Sequence, residues 1–405
     1  MKVIFPYAYY YPETCAGLFI ADDVMHHLAE CGVQSLLTVP TPSRNVPPDA
    51  IWNYDEYQSN KMIHIHRFKM YKEGRSPLLR ALRYFFCECI QLHFLLWEKY
   101  NVAFIDSTPP IQGLKMPILK LLKKVPIVYN AQDIFPDSLV GTGLTKNGSL
   151  IWKIGCILEK ITYKYSDKII VISEDFKNNL LSKGVSEDKI AVVYNWVDEK
   201  AVVDVPRDRN KLFDKYRLDR EKFYITYSGN IGLTQNMDML LEVMEELLTE
   251  APEIRLVLIG EGAYKKKVDA FITSKNLSNV ILLPFQPFED LSYVFSLGDA
   301  GLIISKPGVG ANSVPSKTWN IMSASRPVLA NFDENELKAI ITDNNCGIFT
   351  KAGDKLAFKD AILKLYYDRE FCKEMGKNGR QFVMENLTKA VGTQKYIDVI
   401  NSVAK

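Results

Sequence analysis

The sequence predicts an α/β protein with two Rossmann-like, doubly wound domains, and two observations carry that prediction. At 405 residues it exceeds what one hydrophobic core usually serves, so two domains of about 200 residues each are expected. Throughout the chain, short apolar runs alternate with amphipathic helical segments, the pattern of parallel sheets covered on both faces.

In the first half, strands are expected at Val3–Phe5, Gln34–Val39, Val102–Ile105, Ile127–Tyr129, Lys168–Ile172 and Ala191–Tyr194. Between the first two, Leu18, Ala21, Met25, Leu28 and Ala29 recur at helical spacing, and Gly32 ends the run. Residues 199–222 are dense in charge and poor in strand signal, so they read as the linker and its flanks. A second series follows at Tyr224–Tyr227, Arg255–Ile259, Val280–Leu283, Gly301–Ile304 and Val328–Ala330. From about Leu356 to Ala404 the pattern is helical. The expected domains are therefore residues 1–198 and 199–385, with a last helix at about 386–405 crossing back to the first. Doubly wound sheets bind ligands at their strands' carboxyl ends, so a central cleft is expected where two such ends face each other.

Composition narrows the function. Hydrophobic residues at 47% and charged residues at 24% suit a soluble chain, and a net charge of +2 argues against a nucleic-acid partner. Seven scattered cysteines without a CxxC pair fit a reduced, cytosolic protein. The opening MKVIFPYAYY lacks the features of a signal peptide. The most apolar stretch, Phe85 to Trp97, contains Glu88 and is too short to cross a bilayer. A cytoplasmic location is expected.

Three segments of the second half could carry chemistry. In TYSGNIGLTQNMDMLL a strand runs into Gly229, Asn230 and Gly232, and a helix begins near Asn236, just beyond Gln235. Glycines let a backbone approach a phosphate, and a helix N-terminus offers unpaired N–H groups; a simple tight turn is the alternative. Gly260-Glu261-Gly262 reads as a turn between strand and helix rather than a ligand contact. In residues 308–330 a glycine-containing loop leads through Pro315 into a helix with Lys317 and Asn320 on one face. An ammonium there would neutralise a leaving diphosphate, whereas most lysines are simply solvated. In the first half a weaker turn, Glu13 to Gly17, follows the first strand and lacks the GxGxxG of an NAD site.

The PSK start and the Met-Ser-Ala-Ser-Arg-Pro-Val run of residues 315–328 resemble the donor-binding helix of family 4 retaining glycosyltransferases of the GT-B fold. The branch they resemble acts in bacterial surface-polysaccharide assembly. The YSGNIG loop is similar to that branch's phosphate-facing loop, and the LVLIGEG and LPF segments, the latter ending in Phe285, fall at the expected intervals. The resemblance implies donor contacts from Gly229, Asn230, Gly232, Gln235, Phe285, Asn312, Ser316, Lys317 and Asn320. Many members carry two glutamates eight positions apart where Asn312 and Asn320 stand here, and a cationic pair where Asn230 and Gln235 stand. VYNAQDIFPDSL resembles the branch's Asp-(Leu/Ile)-(Trp/Phe)-Pro-(Glu/Asp)-Ser motif. That places Asp133, as a candidate catalytic residue, and Asp137, as a substrate contact, on the acceptor side, and Gln132 where many members have histidine; Gly17, in the turn after the first strand, is a further candidate substrate contact. Turn and cap roles are the alternative for both aspartates.

The resemblance implies a nucleoside diphosphate sugar donor, UDP-linked, a lipid-linked saccharide acceptor, and no metal cofactor. The five histidines, including His26-His27 and the strand pair His64/His66, show no carboxylate or cysteine at ligand spacing in sequence. Lys61, Arg67, Lys69, Lys72, Arg75, Arg80 and Arg83, then an aromatic run, then Lys115, Lys120, Lys123 and Lys124, suggest peripheral contact with the inner leaflet of the membrane. Rival readings are a non-catalytic GT-B subunit, which the asparagines motivate, and a sugar-nucleotide epimerase.

Overall fold

The computed structural model describes every residue except 14–16, 74–75, 142–144, 311–313 and 405. The chain divides into two compact units, Met1–Asn195 with Ala390–Lys405, and Trp196–Lys389.

Unit 1 is built on eight strands: β1 (Lys2–Pro6), β2 (Gln34–Pro40), β3 (Asp55–Gln58), β4 (Ile63–Phe68), β5 (Val102–Asp106), β6 (Ile127–Ala131), β7 (Lys168–Val171) and β8 (Ile190–Val192). Their order is β3-β4-β2-β1-β5-β6-β7-β8, parallel except for the β3–β4 hairpin. The chain reverses its direction of strand addition between β1 and β5, which opens a crevice at their carboxyl ends. Ile4, Ala103, Ile105, Ile127, Ile169 and Val171 lie on the strands of its core. The helix Leu18–Glu30 buries Leu18, Ala21, Met25 and Leu28 as the spacing predicts.

Unit 2 has six parallel strands: β9 (Phe223–Ser228), β10 (Ile254–Ile259), β11 (Val280–Leu283), β12 (Ala300–Ile304), β13 (Val328–Phe332) and β14 (Gly347–Lys351). The order β11-β10-β9-β12-β13-β14 puts the reversal between β9 and β12. The helix Met237–Glu250 packs Leu240, Val243, Met244 and Leu247 into the core of this sheet.

Two strands, β3 and β14, escape the sequence reading: β3 is an exposed sheet edge with weak alternation, and β14 (GIFTK) has only two large apolar residues, Ile348 and Phe349. Residues 199–222 are a correction, because they fold into unit 2 instead of linking. Leu212 and Phe213 on the short helix Lys211–Lys215 are fully buried, and Arg207 donates to the carbonyls of Arg220 and Lys222. Val202 and Leu218 are buried as well, so a few apolar residues anchor a charged stretch.

The helix Lys389–Val403 docks on unit 1 through a polar chain of contacts. Buried Tyr396 donates its hydroxyl hydrogen to Asn130 Oδ1 (2.9 Å), and Gln132 Nε2 donates to the Tyr396 oxygen (3.0 Å). Asn130 in turn donates to Asp106 Oδ1 (2.9 Å), whose carboxyl is pushed up to about 6 by desolvation.

Asp106 therefore keeps its proton in the fold up to about pH 6 but loses it near pH 4 when unfolded. Its contribution to stability is present below pH 4 and lost as pH rises through 6. Asp106→Asn should remove that slope and gain on the order of 2 kcal/mol over the parent at pH 7.5 relative to pH 4. Paired urea titrations of parent and variant at the two pH values measure it.

Candidate functional site

The loops leaving the carboxyl ends of β9, β10 and β12 converge at the reversal point of the unit 2 sheet. After β9, the Gly229 N–H donates to Ile259 O (3.0 Å) and the Ile231 N–H to Glu261 O (2.8 Å), while Tyr264 N–H returns a bond to Ile231 O (3.0 Å). This stitching needs two backbones in contact, and Gly260 and Gly262 supply it. A Cβ on Gly260 would lie 1.9 Å from Gly229 O, and one on Gly262 would lie 2.2 Å from Ile231 O. Both glycines also sit at positive φ, 154° and 157°. They shape the loop, as the turn reading expects.

Within the loop, Gly232 N–H donates to Gln235 Oε1 (3.0 Å), and a Cβ on Gly232 would meet Asn230 Nδ2 at 2.6 Å. Asn230 and Gln235 thus wrap Gly232.

Lys317 begins the helix Lys317–Ser323, anchored by buried Trp319, Ile321 and Met322. Its Nζ lies 3.8 Å from the centroid of the Tyr227 ring and 3.2 Å from where a Cβ on Gly229 would stand. The Tyr227 hydroxyl donates to Asn230 O (2.7 Å), fixing both the ring and the loop. Desolvation pulls the Lys317 ammonium down to about 8, and no charged group among the described residues offsets that shift. Half-buried, held over a ring face and lacking a carboxylate partner among the described residues, this cation is arranged to meet an anion.

The loop before Lys317 is held by a residue the sequence reading did not single out. Asp333 accepts the N–H groups of Gly308 (2.9 Å) and Gly310 (2.7 Å). Tyr227 was missed as well, because a tyrosine in a strand normally signals core and only the fold shows its ring beneath Lys317. Ser316 is exposed at the start of the Lys317 helix without a side-chain capping bond, and Asn320 is half-buried one turn on. Phe285 is 57% exposed beyond β11. Asn312 lies outside the described residues.

In unit 1, Gly17 takes a left-handed conformation (φ 81°) at the start of the helix Leu18–Glu30. Asp133 is exposed in the turn after β6. Asp137, at the start of the helix Asp137–Gly141, accepts from Lys183 Nζ (2.8 Å) and Asn179 Nδ2 (3.1 Å), so its carboxylate is committed to structural partners. Gln132 donates to Asn130 and Tyr396 and accepts from Asn195 Nδ2 (2.8 Å), clipping the last helix to the sheet. Beyond β1, a cavity of about 310 Å³ is lined by Tyr10, Asp22, His26, Glu56, Gln58 and Arg67, among others. Its polar walls are preorganised: Arg67 pairs with Glu56 (2.5 Å) and donates to Tyr11 O (2.7 Å), and Tyr10 bonds Asp22.

Comparison with known proteins agrees with this arrangement. The family described as Glycosyl transferases group 1 matches residues 208–382, and Glycosyltransferase Family 4 matches residues 20–201. Two doubly wound units of this kind, one carrying an anion-ready loop, define the GT-B fold. The chain thus carries the two glycosyltransferase family domains, one in each unit. It is 22% identical over 301 residues, 73% of each chain, to the Pseudomonas aeruginosa protein WbjE, named a probable glycosyltransferase. It is 27% identical over 215 residues to Escherichia coli K12 WcaI, whose name assigns it to colanic acid biosynthesis; the match spans about half, 51%, of each chain. The crystal structure of Anabaena HepE in complex with UDP superposes with a TM-score of 0.72 at 14% identity, over 99% of this chain and 100% of that one.

The Gly260 contact gives a direct test of the loop. Gly260→Ala would force the β9 and β10 loops apart and should cost unit 2 on the order of 3 kcal/mol. Equilibrium unfolding in urea of the variant against the parent checks it.

Proposed function

We propose that the protein is a retaining glycosyltransferase that moves a sugar from a UDP-linked donor to a lipid-linked saccharide during assembly of a bacterial surface polysaccharide. The observation that carries the reading is the Lys317 ammonium above Gly229, desolvated and without a carboxylate partner among the described residues. A diphosphate is the anion that the loop's backbone and this cation would share. The UDP in the HepE complex supports the nucleotide, and the names of WbjE and WcaI support the reaction and the pathway class. Lys317 would hold the charge that develops on the leaving phosphate as the bond from the anomeric carbon to the phosphate oxygen breaks. The acceptor hydroxyl oxygen bonds to that carbon on the same face, and its proton passes to the leaving phosphate oxygen. In unit 1, the cavity walled by Tyr10, Asp22, Glu56 and Arg67 has the hydrogen-bonding side chains that a saccharide requires.

Of the basic and aromatic surface the sequence suggests, Lys61, Lys69, Lys72, Arg80, Lys124, Phe85, Phe86 and Trp97 are exposed, whereas three of its cations are not. Arg67, Arg83 and Lys115 are buried, and Lys115 is spent on Glu88 (2.8 Å), Gln91 and Gln112. Arg75 lies outside the described residues. The helices Met116–Leu122 and Leu150–Tyr165 pack side by side and expose Leu121 (75%), Leu150 (74%), Ile154 and Ile157 among Lys124, Lys153, Lys160 and Lys164. No helix among the described residues is long and apolar enough to cross a membrane. This apolar, basic face is suited to lie on an anionic leaflet.

Lys317→Ala should lower UDP-sugar turnover by about a hundredfold or more while the chain stays folded. Because the free ammonium titrates near 8, UDP affinity should hold at pH 7 and fall by up to about tenfold per pH unit above 8, a dependence the variant lacks. Calorimetric titration with UDP and an assay of UDP release over a donor panel measure both; tight binding without release would instead indicate a non-catalytic subunit, and donor isomerisation without acceptor an epimerase. Leu121→Glu combined with Ile154→Glu should cut co-sedimentation with phosphatidylglycerol vesicles severalfold and leave UDP affinity unchanged.

A further inference from the structure

The β3–β4 hairpin brings together three side chains that the sequence keeps apart. Asp55 is nine residues from His64 and eleven from His66, a spacing that resembles no ligand motif. Antiparallel pairing places Asp55 opposite His66 and Tyr57 opposite His64, so all four project from one face of the hairpin. His64 Nε2 and His66 Nδ1 each lie 2.8 Å from the same Asp55 oxygen, and the three ligand atoms fall within 4.8 Å of one another. The rings are held in place: Tyr57 stacks on His64 at 4.4 Å and 9°, and Phe94 meets the edge of His66 at 4.9 Å. The cluster remains open to solvent, with side-chain exposures of 50%, 27% and 30% for Asp55, His64 and His66.

We infer that Asp55, His64 and His66 form a binding site for one zinc-class divalent metal ion. Two imidazoles and a carboxylate are the donor set such an ion takes, at about 2.0–2.2 Å from each ligand atom, with solvent in the fourth tetrahedral position. Tetrahedral coordination at those lengths separates ligand atoms by about 3.3 Å, so the two pairs at 2.8 Å need to open only slightly. On binding, the lone pairs of His64 Nε2 and His66 Nδ1 go to the metal, and each ring's proton moves to its other nitrogen or, from an imidazolium, to solvent. Imidazole nitrogens favour this ion over Mg²⁺ or Ca²⁺, which take oxygen ligands.

The location gives the site a use. β3 is the edge strand of the unit 1 sheet, and a metal would pin it to β4. The opposite face of the same hairpin carries Glu56, Gln58 and Arg67, which line the 310 Å³ cavity. The ion would thus fix one wall of that cavity from behind. This assignment stands whether or not the cavity holds the acceptor.

The test uses tag-free protein stripped with a chelator and titrated with Zn²⁺ alone by calorimetry, and with Co²⁺ followed by visible absorption. One equivalent should bind, Co²⁺ should give the intense bands of tetrahedral nitrogen and oxygen coordination, and Zn²⁺ but not Mg²⁺ should raise the melting temperature. His64→Gln and Asp55→Asn should each weaken Zn²⁺ binding by about a hundredfold with unchanged circular dichroism, and His64→Cys, which keeps a ligand, should restore it. An absence of saturable Zn²⁺ binding overturns the assignment. So does binding that survives both substitutions, which would place the ion elsewhere, for instance on the exposed Cys31 or Cys89.

Discussion

The chemistry we propose for unit 2 depends on one charge that no described carboxylate compensates. Lys317 is held half-buried above the Tyr227 ring, with no carboxylate set against it among the described residues. Holding an ammonium this way is unfavourable to the free protein, and the shift of its titration to about 8 is the measure of that. The surrounding structure serves to keep it there. Ile321 and Met322 anchor its helix, Asp333 gathers the preceding loop, and Tyr227 ties its own ring to the Asn230 carbonyl. An anion entering this site relieves the imbalance, so binding energy is prepared in advance of the ligand.

Much of the fold was legible because its signals are local. Parallel strands buried on both faces are continuous apolar runs, and each expected strand from Val3 to Val328 coincides with an observed one within a few residues. What local signals could not supply was β3, an exposed edge strand, and the folding of residues 199–222, where Leu212 and Phe213 are outnumbered by charges. Three residues of the basic stretch mislead for the same reason. Arg67, Arg83 and Lys115 look solvated in sequence but find carbonyl, carboxylate and amide partners in the interior.

The candidate site was legible in part. Lys317 and the Gly229 loop stood out because glycines and a lysine near a helix start have a recognisable pattern. Tyr227 and Asp333 did not, since each acts through a neighbour that only tertiary structure provides. The Asp55–His64–His66 group shows the same limit more sharply, because a hairpin sets which residues meet and that pairing is invisible in linear spacing.

The division of the chain has a consequence for how the molecule is made. Unit 2 is a continuous stretch, whereas unit 1 is completed only by residues 390–405, which are translated after unit 2. Until Tyr396 emerges, Asn130 and Gln132 lack the partner that caps their polar chain. The unit begun first on the ribosome is therefore finished last, and the later one can mature ahead of it.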